Sequence, residues 1–98
     1  MPIDSKSVAV ITGAASGIGR ALAVRLAREG IAGVAISDVN EIGLNETAAK
    51  VLGAAVSQHL VDVSKPDQVQ KFADEVIEHH GRVTHLVNNA GVGLIGTF

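Results

Sequence analysis

The chain has 98 residues, of which 47% are hydrophobic and 18% charged, and its formal net charge is −2. A chain of this length forms one small domain or a piece of a larger one, and its apolar content excludes a disordered chain. With no basic field, two aromatic residues, no cysteine and no membrane-length apolar run, the sequence excludes nucleic-acid partners, thiolate metal sites and membrane insertion, and it fits a cytoplasmic location.

The first predicted unit is a strand, a glycine-rich turn and a helix. Residues 7–12 form a short segment that is rich in β-branched residues and apolar on both faces, as in a strand that helices cover on both sides. The turn spans residues 13–19, and a helix follows until Gly30, a residue type that often ends helices. Helical spacing predicts a buried stripe made of Ile18, Leu22 and Leu26.

The second predicted unit is a strand at residues 33–37 followed by a helix. Asn40 is the predicted N-cap of this helix, and Gly53 is its predicted end. Gly43 lies inside the helix, where glycine costs about 1 kcal/mol relative to alanine. The apolar side is predicted to consist of Leu44, Ala48, Val51 and Leu52. A third strand is predicted at residues 56–61.

The third helix has the clearest pattern. Residues 64–67 read as a capping box, with Pro66 in the first turn, and Gly81 is the predicted end. A fourth strand is predicted at residues 83–88, and residues 91–98 look like a loop. The apolar face of the helix is predicted to be Val69, Phe72, Ala73, Val76 and Ile77.

The order β-α-β-α-β-α-β predicts an α/β fold with parallel strands joined by right-handed crossovers. In a doubly wound sheet these strands lie in the order 3-2-1-4. Ligands of such sheets bind beyond the carboxyl ends of the strands, at the switch point between strands 1 and 4. We therefore expect the chemistry of this chain at that edge.

The strongest chemical signal follows the first strand, where residues 12–19 read Thr-Gly-Ala-Ala-Ser-Gly-Ile-Gly. In a strand–turn–helix context the first glycine permits a sharp turn, the second admits a pyrophosphate, and the third allows close packing of the helix. The free N–H groups and the helix dipole are predicted to bind the phosphates, with the Ser16 hydroxyl as a further donor. A plain strand-to-helix turn is the alternative. The predicted phosphate-binding residues are Gly13, Ser16, Gly17, Ile18 and Gly19.

Asp38 ends the second strand, where a dinucleotide fold places an acidic residue to accept both hydroxyls of the adenosine ribose. Helix capping is the alternative, although Asn40 is better placed for it. The carboxylate would repel a 2′-phosphate, and residues 39–49 contain no basic residue that could offset this, so the sequence favours NAD over NADP. Arg20 is the cation that directly follows the glycine-rich turn, and as a helix residue it is expected to face solvent.

With these motifs the chain resembles the N-terminal part of the short-chain dehydrogenases/reductases. Residues 12–19 match the cofactor turn of that family, and Asn-Asn-Ala-Gly at residues 88–91 matches its second signature. The resemblance covers Lys6 to Gly91, less than half of a typical member. It implies that residues 1–98 form a Rossmann-type NAD-binding domain and that the family reaction is the reversible oxidation of an alcohol to a ketone or aldehyde.

The resemblance implies further cofactor contacts. Asp62 is expected to bind the exocyclic amine of adenine, and Val63 to bind the ring through its backbone N–H. Support of a cap at Ser64 is a compatible alternative for Asp62. Asn88 is expected to stabilise the central sheet, a role that any buried strand end could require. The residues expected to line the ribose crevice are Asn89, Ala90 and Gly91.

The sequence departs from the family in its catalytic residues. Family members transfer hydride with a Ser and a Tyr-x-x-x-Lys motif after the fourth strand, and this chain contains no tyrosine. We therefore predict no catalytic residue and no turnover by this chain alone, and an alcohol or ketone substrate only where a C-terminal region completes the site. The alternative is a truncated, non-catalytic nucleotide-binding or interaction module that pairs with itself or another chain through the open edge of strand 4.

The four histidines predict no site. Their spacing does not resemble that of metal ligands, and no general-base partner is evident in the sequence. For the histidines near the C-terminal end of the third helix, a positive charge interacts favourably with the helix dipole. We therefore expect no metal and no catalytic histidine among His59, His79, His80 and His85.

Overall fold

A computed structural model describes residues 3–89. Over those residues the elements follow the predicted order. None of the helices in this part of the chain has the length and apolar character needed to cross a bilayer. The elements are β1 (Val8–Thr12), α1 (Gly17–Arg28), β2 (Gly33–Asp38), α2 (Glu41–Lys50), β3 (Ala55–Leu60), α3 (Pro66–His80) and β4 (His85–Val87).

The four strands form one parallel sheet in the order β3-β2-β1-β4, as predicted. Val10, at the centre of β1, is aligned with Ala35 of β2 on one side and with Leu86 of β4 on the other. β4 is shorter than predicted. Because the strands are parallel, their carboxyl ends meet at one edge of the sheet, where the turn after β1 lies beside the end of β4.

Helices cover both faces of the sheet. Successive side chains of a strand point to opposite faces of the sheet. When helices cover both faces, every position of the strand is buried, and apolar residues do not alternate with polar ones. This explains the unbroken apolar run of β1 and confirms the doubly wound arrangement. The central side chains are Ile11, Leu26, Ile36 and Leu44 on the face covered by α1 and α2, and Val10, Phe72 and Val76 on the face covered by α3.

The predicted buried stripe of α1 was wrong in part. Ile18 is 74% exposed, and Leu22 is only partly buried. The prediction followed the large apolar residues, whereas the face nearest the sheet is made of small residues that allow close approach. The buried residues of α1 are Gly19, Ala23, Leu26 and Ala27.

The ends of α2 agree with the prediction at one terminus only. The Asn40 side chain caps the helix by accepting a hydrogen bond from the Gly43 N–H at 3.0 Å, as predicted. The helix ends at Lys50 and not at Gly53. Leu52 therefore lies outside the helix and is 74% exposed, not buried.

The predicted capping box of α3 does not form. The helix begins at Pro66, and its N-cap, Lys65, makes no side-chain capping bond. The Ser64 hydroxyl instead donates to Oδ1 of Asp62 at 2.6 Å, so it orders the loop before the helix. Part of the predicted apolar face also stays exposed, at Val69, Ala73 and Ile77.

Candidate functional site

The turn between β1 and α1 is open on its outer side and tightly packed on its inner side. Gly17 has a φ of +59°, which favours glycine, and a Cβ added there would meet no heavy atom within 4 Å. A Cβ at Gly19 would collide with the carbonyl oxygen of Gly13 and lie 2.9 Å from Nδ2 of Asn89. Gly17 therefore borders open space, and Gly19 lets α1 approach the end of β1.

The N-terminus of α1 offers unpaired hydrogen-bond donors. Arg20 is the first residue whose N–H reaches a carbonyl of this segment, that of Ser16, at 3.3 Å. Within residues 3–89, the N–H groups from Ser16 to Gly19 have no protein acceptor, as expected for the first turn of a helix. Ser16 is the N-cap, and its hydroxyl makes no capping bond. Ser16, Gly17 and Ile18 are exposed, so the donors and the positive end of the helix dipole are accessible to an anion.

The two alanines that precede Ser16 are held against β2. The Ala14 N–H donates to the carbonyl of Ser37 at 3.0 Å, and the Ala15 N–H donates to Oδ2 of Asp38 at 3.0 Å. Both alanines are buried. The donors that remain free are therefore those of the following residues, which the sequence predicted to bind phosphate.

Asp38 is half-buried at the end of β2 and already accepts three backbone hydrogen bonds. Besides Ala15, the N–H groups of Val39 and Asn40 donate to its Oδ1 at 2.7 and 3.1 Å. An ionised carboxylate has about four acceptor positions. The arrangement therefore leaves room for about one ribose hydroxyl, where the sequence suggested two, and it gives Asp38 a structural role that sequence reasoning missed.

A cavity of about 200 Å³ opens between the turn and the ends of β2 and β3. It brings together Asp38, Asp62 and Val63, the residues predicted to contact adenosine. Hydrogen bonds from the side chain and backbone of Ser64 hold the pKa of Asp62 below its ordinary value, so this carboxylate is ionised at neutral pH. The lining residues are Gly13, Ser37, Asp38, Val39, Val61, Asp62 and Val63.

The residues after β4 are bonded to the end of β1. The Thr12 hydroxyl donates to Oδ1 of Asn88 at 3.1 Å and accepts from the N–H of Asn89 at 2.9 Å. The side-chain amide of Asn89 also donates to the Gly13 carbonyl at 3.1 Å. Both asparagines therefore join the end of β4 to the end of β1 at the glycine-rich turn. Two further predicted crevice residues, Ala90 and Gly91, lie outside the described residues.

Arg20 does not face solvent as expected, because its side chain bridges the turn and α2 and is only 25% exposed. Its Nε donates to the Thr47 hydroxyl at 2.9 Å, and its Nη2 donates to the carbonyls of Ala15 and, at 3.2 Å, Gly43. The same nitrogen lies 3.1 Å from a carboxylate oxygen of Glu46. Sequence reasoning missed this group because its members are brought together only by the packing of α2 on the turn.

A second polar network joins β3 to α3. The nearly buried His59 ring lies 2.8 Å from Oε1 of Glu75 through Nδ1 and 2.7 Å from the Ser57 hydroxyl through Nε2. That hydroxyl lies 2.8 Å from Nε2 of His80. The hydrogen bond from His59 lowers the pKa of Glu75, and burial lowers the pKa of His80. The sequence made no partner of the histidines evident, whereas the structure pairs His59 with the Glu75 carboxylate. Within residues 3–89, no group of three or more potential ligands is arranged to hold a metal ion.

The sequence profile described as short chain dehydrogenase matches residues 7–98. The chain belongs to the short-chain dehydrogenase family. It is 48% identical over 91 residues to the putative oxidoreductase SadH of Mycobacterium tuberculosis, an alignment that covers 91% of this chain and 33% of that protein. The resemblance inferred from the two sequence motifs is thereby confirmed.

Solved short-chain dehydrogenases share the fold. A metagenomic short-chain oxidoreductase in complex with NADP is 38% identical, with a TM-score of 0.82 over 90% of this chain and 40% of that chain. A short-chain dehydrogenase/reductase from Burkholderia phymatum in complex with NAD is 43% identical, with a TM-score of 0.77 over 82% of this chain and 29% of that chain. The chain thus spans about a third of the length of these short-chain dehydrogenases, of which one holds NADP and the other NAD.

Proposed function

We propose that this chain is the NAD-binding part of a short-chain dehydrogenase whose reaction is NAD(H)-dependent oxidoreduction of an alcohol and a ketone or aldehyde. The observation that carries the proposal is the row of unpaired N–H groups from Ser16 to Gly19, beside the open space at Gly17. A diphosphate supplies the acceptors that these donors lack. The two solved relatives that hold a nicotinamide dinucleotide support the same ligand class.

The proposed site extends from the turn to the ends of β2, β3 and β4. The diphosphate lies against the N-terminus of α1, the ribose beside Asp38, and adenine in the cavity beside Asp62 and Val63. When bound, the cofactor carries the hydride, and this chain supplies binding and orientation. The proposed binding residues are Gly13, Ser16, Gly17, Ile18, Gly19, Asp38, Asp62, Val63, Asn89, Ala90 and Gly91.

The charges around Asp38 support NAD over NADP. A 2′-phosphate at this position would face the carboxylate, which repels it. Arg20, the cation that directly follows the glycine-rich turn, is already paired with Glu46 and bonded to Thr47, so it is not free to neutralise a phosphate. Calorimetric titration of the chain with NAD and with NADP tests this preference, and equal dissociation constants would contradict it.

We also propose that this chain binds the cofactor without turning it over. The proton-transfer role of the family tyrosine has no candidate here, because the sequence contains no tyrosine. The test follows NADH absorbance during incubation of the purified chain with NAD and a panel of alcohols, and with NADH and a panel of ketones. An enzyme-dependent rate above the blank contradicts this part of the proposal.

A second candidate function, association through β4, is favoured by the exposed apolar surface beside this strand. β4 lies at an edge of the described sheet, and Leu86 is 70% exposed. Leu86 borders an apolar groove of about 460 Å³ that continues along α3. We propose that a second copy of the chain associates there. Sedimentation velocity tests this, with Leu86→Lys expected to reduce association and Leu52→Lys, equally exposed but remote, expected to leave it unchanged.

We further propose a cytoplasmic location. The sequence contains no cysteine, which fits a reducing compartment. Cell fractionation tests the proposal, and recovery of the protein outside the cytoplasmic fraction contradicts it.

A further inference from the structure

Two consecutive residues of the turn have all their backbone polar groups bound by protein. The N–H groups of Ala14 and Ala15 donate to the end of β2, as described above. On the opposite side, the carbonyl of Ala14 accepts from the Thr47 hydroxyl at 2.7 Å, and the carbonyl of Ala15 accepts from Nη2 of Arg20. The orientation of these peptide groups is therefore fixed by contacts on both sides.

Helix α2 supplies the contacts on the carbonyl side. Thr47 is fully buried, and its hydroxyl donates to Ala14 while accepting from Nε of Arg20 at 2.9 Å. Gly43, one helical turn earlier, lets α2 approach the turn, because a Cβ there would lie 2.7 Å from the Cβ of Ala15. The glycine that weakens α2 as a helix is thus required by the packing of α2 on the turn.

These contacts determine where the free donors point. A trans peptide group is planar, so its C=O and the following N–H point in opposite directions. Because Arg20 holds the carbonyl of Ala15 toward α2, the N–H of Ser16 is directed away from α2. The same contact keeps a carbonyl oxygen from facing the phosphate site, where it would repel an anion.

We propose that Arg20 and Thr47 are positioning residues of the diphosphate site. They contact the turn and not the ligand, and they hold its donors in the binding orientation before the ligand arrives, which lowers the ordering cost of binding. This inference rests on the proposed function. It predicts that loss of either side chain weakens the binding of ligands that contain a diphosphate and leaves the binding of other ligands unchanged.

The test compares ADP with adenosine in calorimetric titrations of the whole chain. Thr47→Val keeps the shape of the side chain and removes its hydroxyl, and Thr47→Ser restores the hydroxyl. We expect Thr47→Val and Arg20→Met to raise the Kd of ADP by about tenfold, as for a lost hydrogen bond to a charged group, and to change the Kd of adenosine by less than about twofold. Thr47→Ser should bind ADP almost as the wild type does.

Arg25→Met is the matched control, because Arg25 lies on the same helix and pairs with exposed Glu29 without touching the turn. We expect it to leave both ligands unchanged. Thermal unfolding followed by circular dichroism verifies that each variant is folded at the titration temperature. If Thr47→Val and Arg20→Met weaken the binding of ADP and of adenosine equally, or weaken the binding of neither ligand, the positioning role is overturned.

Amide hydrogen exchange gives a readout without any ligand. We expect the N–H groups of Ala14 and Ala15 to be protected in the wild type and to exchange faster in Thr47→Val, while that of Val10 in β1 is unchanged. Equal exchange in the two proteins overturns the positioning role whether or not ADP binds. Failure of the wild type to bind ADP overturns the proposed function, so the two failures are distinguishable.

Discussion

The carboxylate of Asp38 accepts a hydrogen bond from the backbone N–H of Ala15 at 3.0 Å. The residue proposed to bind the adenosine ribose therefore also holds the turn proposed to bind the diphosphate. Because one side chain serves both parts of the site, a substitution at Asp38 has two separable consequences, one for the charge that selects the cofactor and one for the shape of the turn.

Replacing Asp38 with asparagine removes the charge and keeps the size of the side chain, but its amide nitrogen cannot accept the backbone hydrogen bond that one carboxylate oxygen accepted. The lost bond affects both cofactors, so their affinity ratio reports the charge. We expect Asp38→Asn to weaken the binding of NAD and to increase the affinity for NADP relative to NAD by at least about tenfold. The reason is that two unit charges 4 Å apart repel by about 4 kcal/mol at an effective dielectric of 20, before screening. Calorimetry with the two cofactors measures the ratio. Glu41→Gln, which removes an exposed acidic charge from α2, is the control and should leave the ratio nearly unchanged. A ratio equally insensitive to both variants contradicts the role of Asp38 in selection.

Two glycines with positive φ provide a matched pair for the diphosphate site. Gly17 and Gly30 have φ values of +59° and +91°, and a Cβ on either would meet nothing within 4 Å. Alanine should therefore destabilise the fold similarly at both positions, by about 1–2 kcal/mol, through backbone strain alone. Only Gly17→Ala should weaken the binding of ADP, by about tenfold or more, because its methyl group enters the space proposed for the phosphates. Equal Kd values in the two variants would show that Gly17 does not border the ligand.

The contacts of Thr12 predict a specific loss of stability. Its hydroxyl joins β1 to Asn88 and Asn89, and β4 itself has only three residues. We expect Thr12→Val to lower the free energy of unfolding by about 1–3 kcal/mol, because the partners lose their hydrogen bonds in a partly buried site. Thr12→Ser should recover most of this. Urea denaturation measures both, and a valine variant as stable as the wild type would show that these bonds contribute little.

The network between β3 and α3 predicts how stability depends on pH. Burial, and then the neighbouring His79 and His59, lower the pKa of His80 from its ordinary 6.5, so the folded chain binds this proton less readily than the unfolded chain. Stability should therefore decrease as pH falls from above 6.5 through the folded pKa. Glu75, whose pKa is lowered from 4.5 mainly by the hydrogen bond from His59, adds a further loss at lower pH, as its carboxylate is protonated.

The measurement is the free energy of unfolding at pH 7.5 and at pH 5.5, on either side of the ordinary histidine pKa of 6.5. His80→Gln retains a donor for Ser57 but does not titrate, so it should show a smaller decrease between the two pH values. His85→Gln, in β4 and outside this network, is the control and should behave like the wild type. If the His80 variant loses as much stability on acidification as the wild type, His80 is not the titrating group.

The fold and the turn could be predicted because they depend on local patterns. β1 and β2 are short, mostly apolar runs, and α3 has a helical period of apolar residues, so the alternation of such segments is enough for the order of elements and the parallel sheet. The glycine spacing from Gly13 to Gly19 encodes a backbone shape and needs no knowledge of distant residues. The same holds for the cap at Asn40, which acts within its own helix.

The rest depends on packing between elements, which spacing along the chain does not reveal. Arg20 and Thr47 meet only because α2 lies against the turn, and His59 meets Glu75 only because α3 lies against β3. The buried face of α1 was misassigned at Ile18 because small residues, rather than large ones, allow close contact with the sheet. The charge pattern indicated Asp38 as a ribose ligand but not as a partner of the turn.

The most direct test of the account follows the backbone N–H signals of the isotope-labelled chain by NMR during titration with ADP. We predict that the signals of Ser16 to Gly19 shift together and saturate with one dissociation constant, because these groups donate to the diphosphate, while signals of α3 remain in place. Binding of ADP that leaves these four signals unmoved, or the absence of any shift at millimolar ADP, would contradict the claim that the N-terminus of α1 is a diphosphate site.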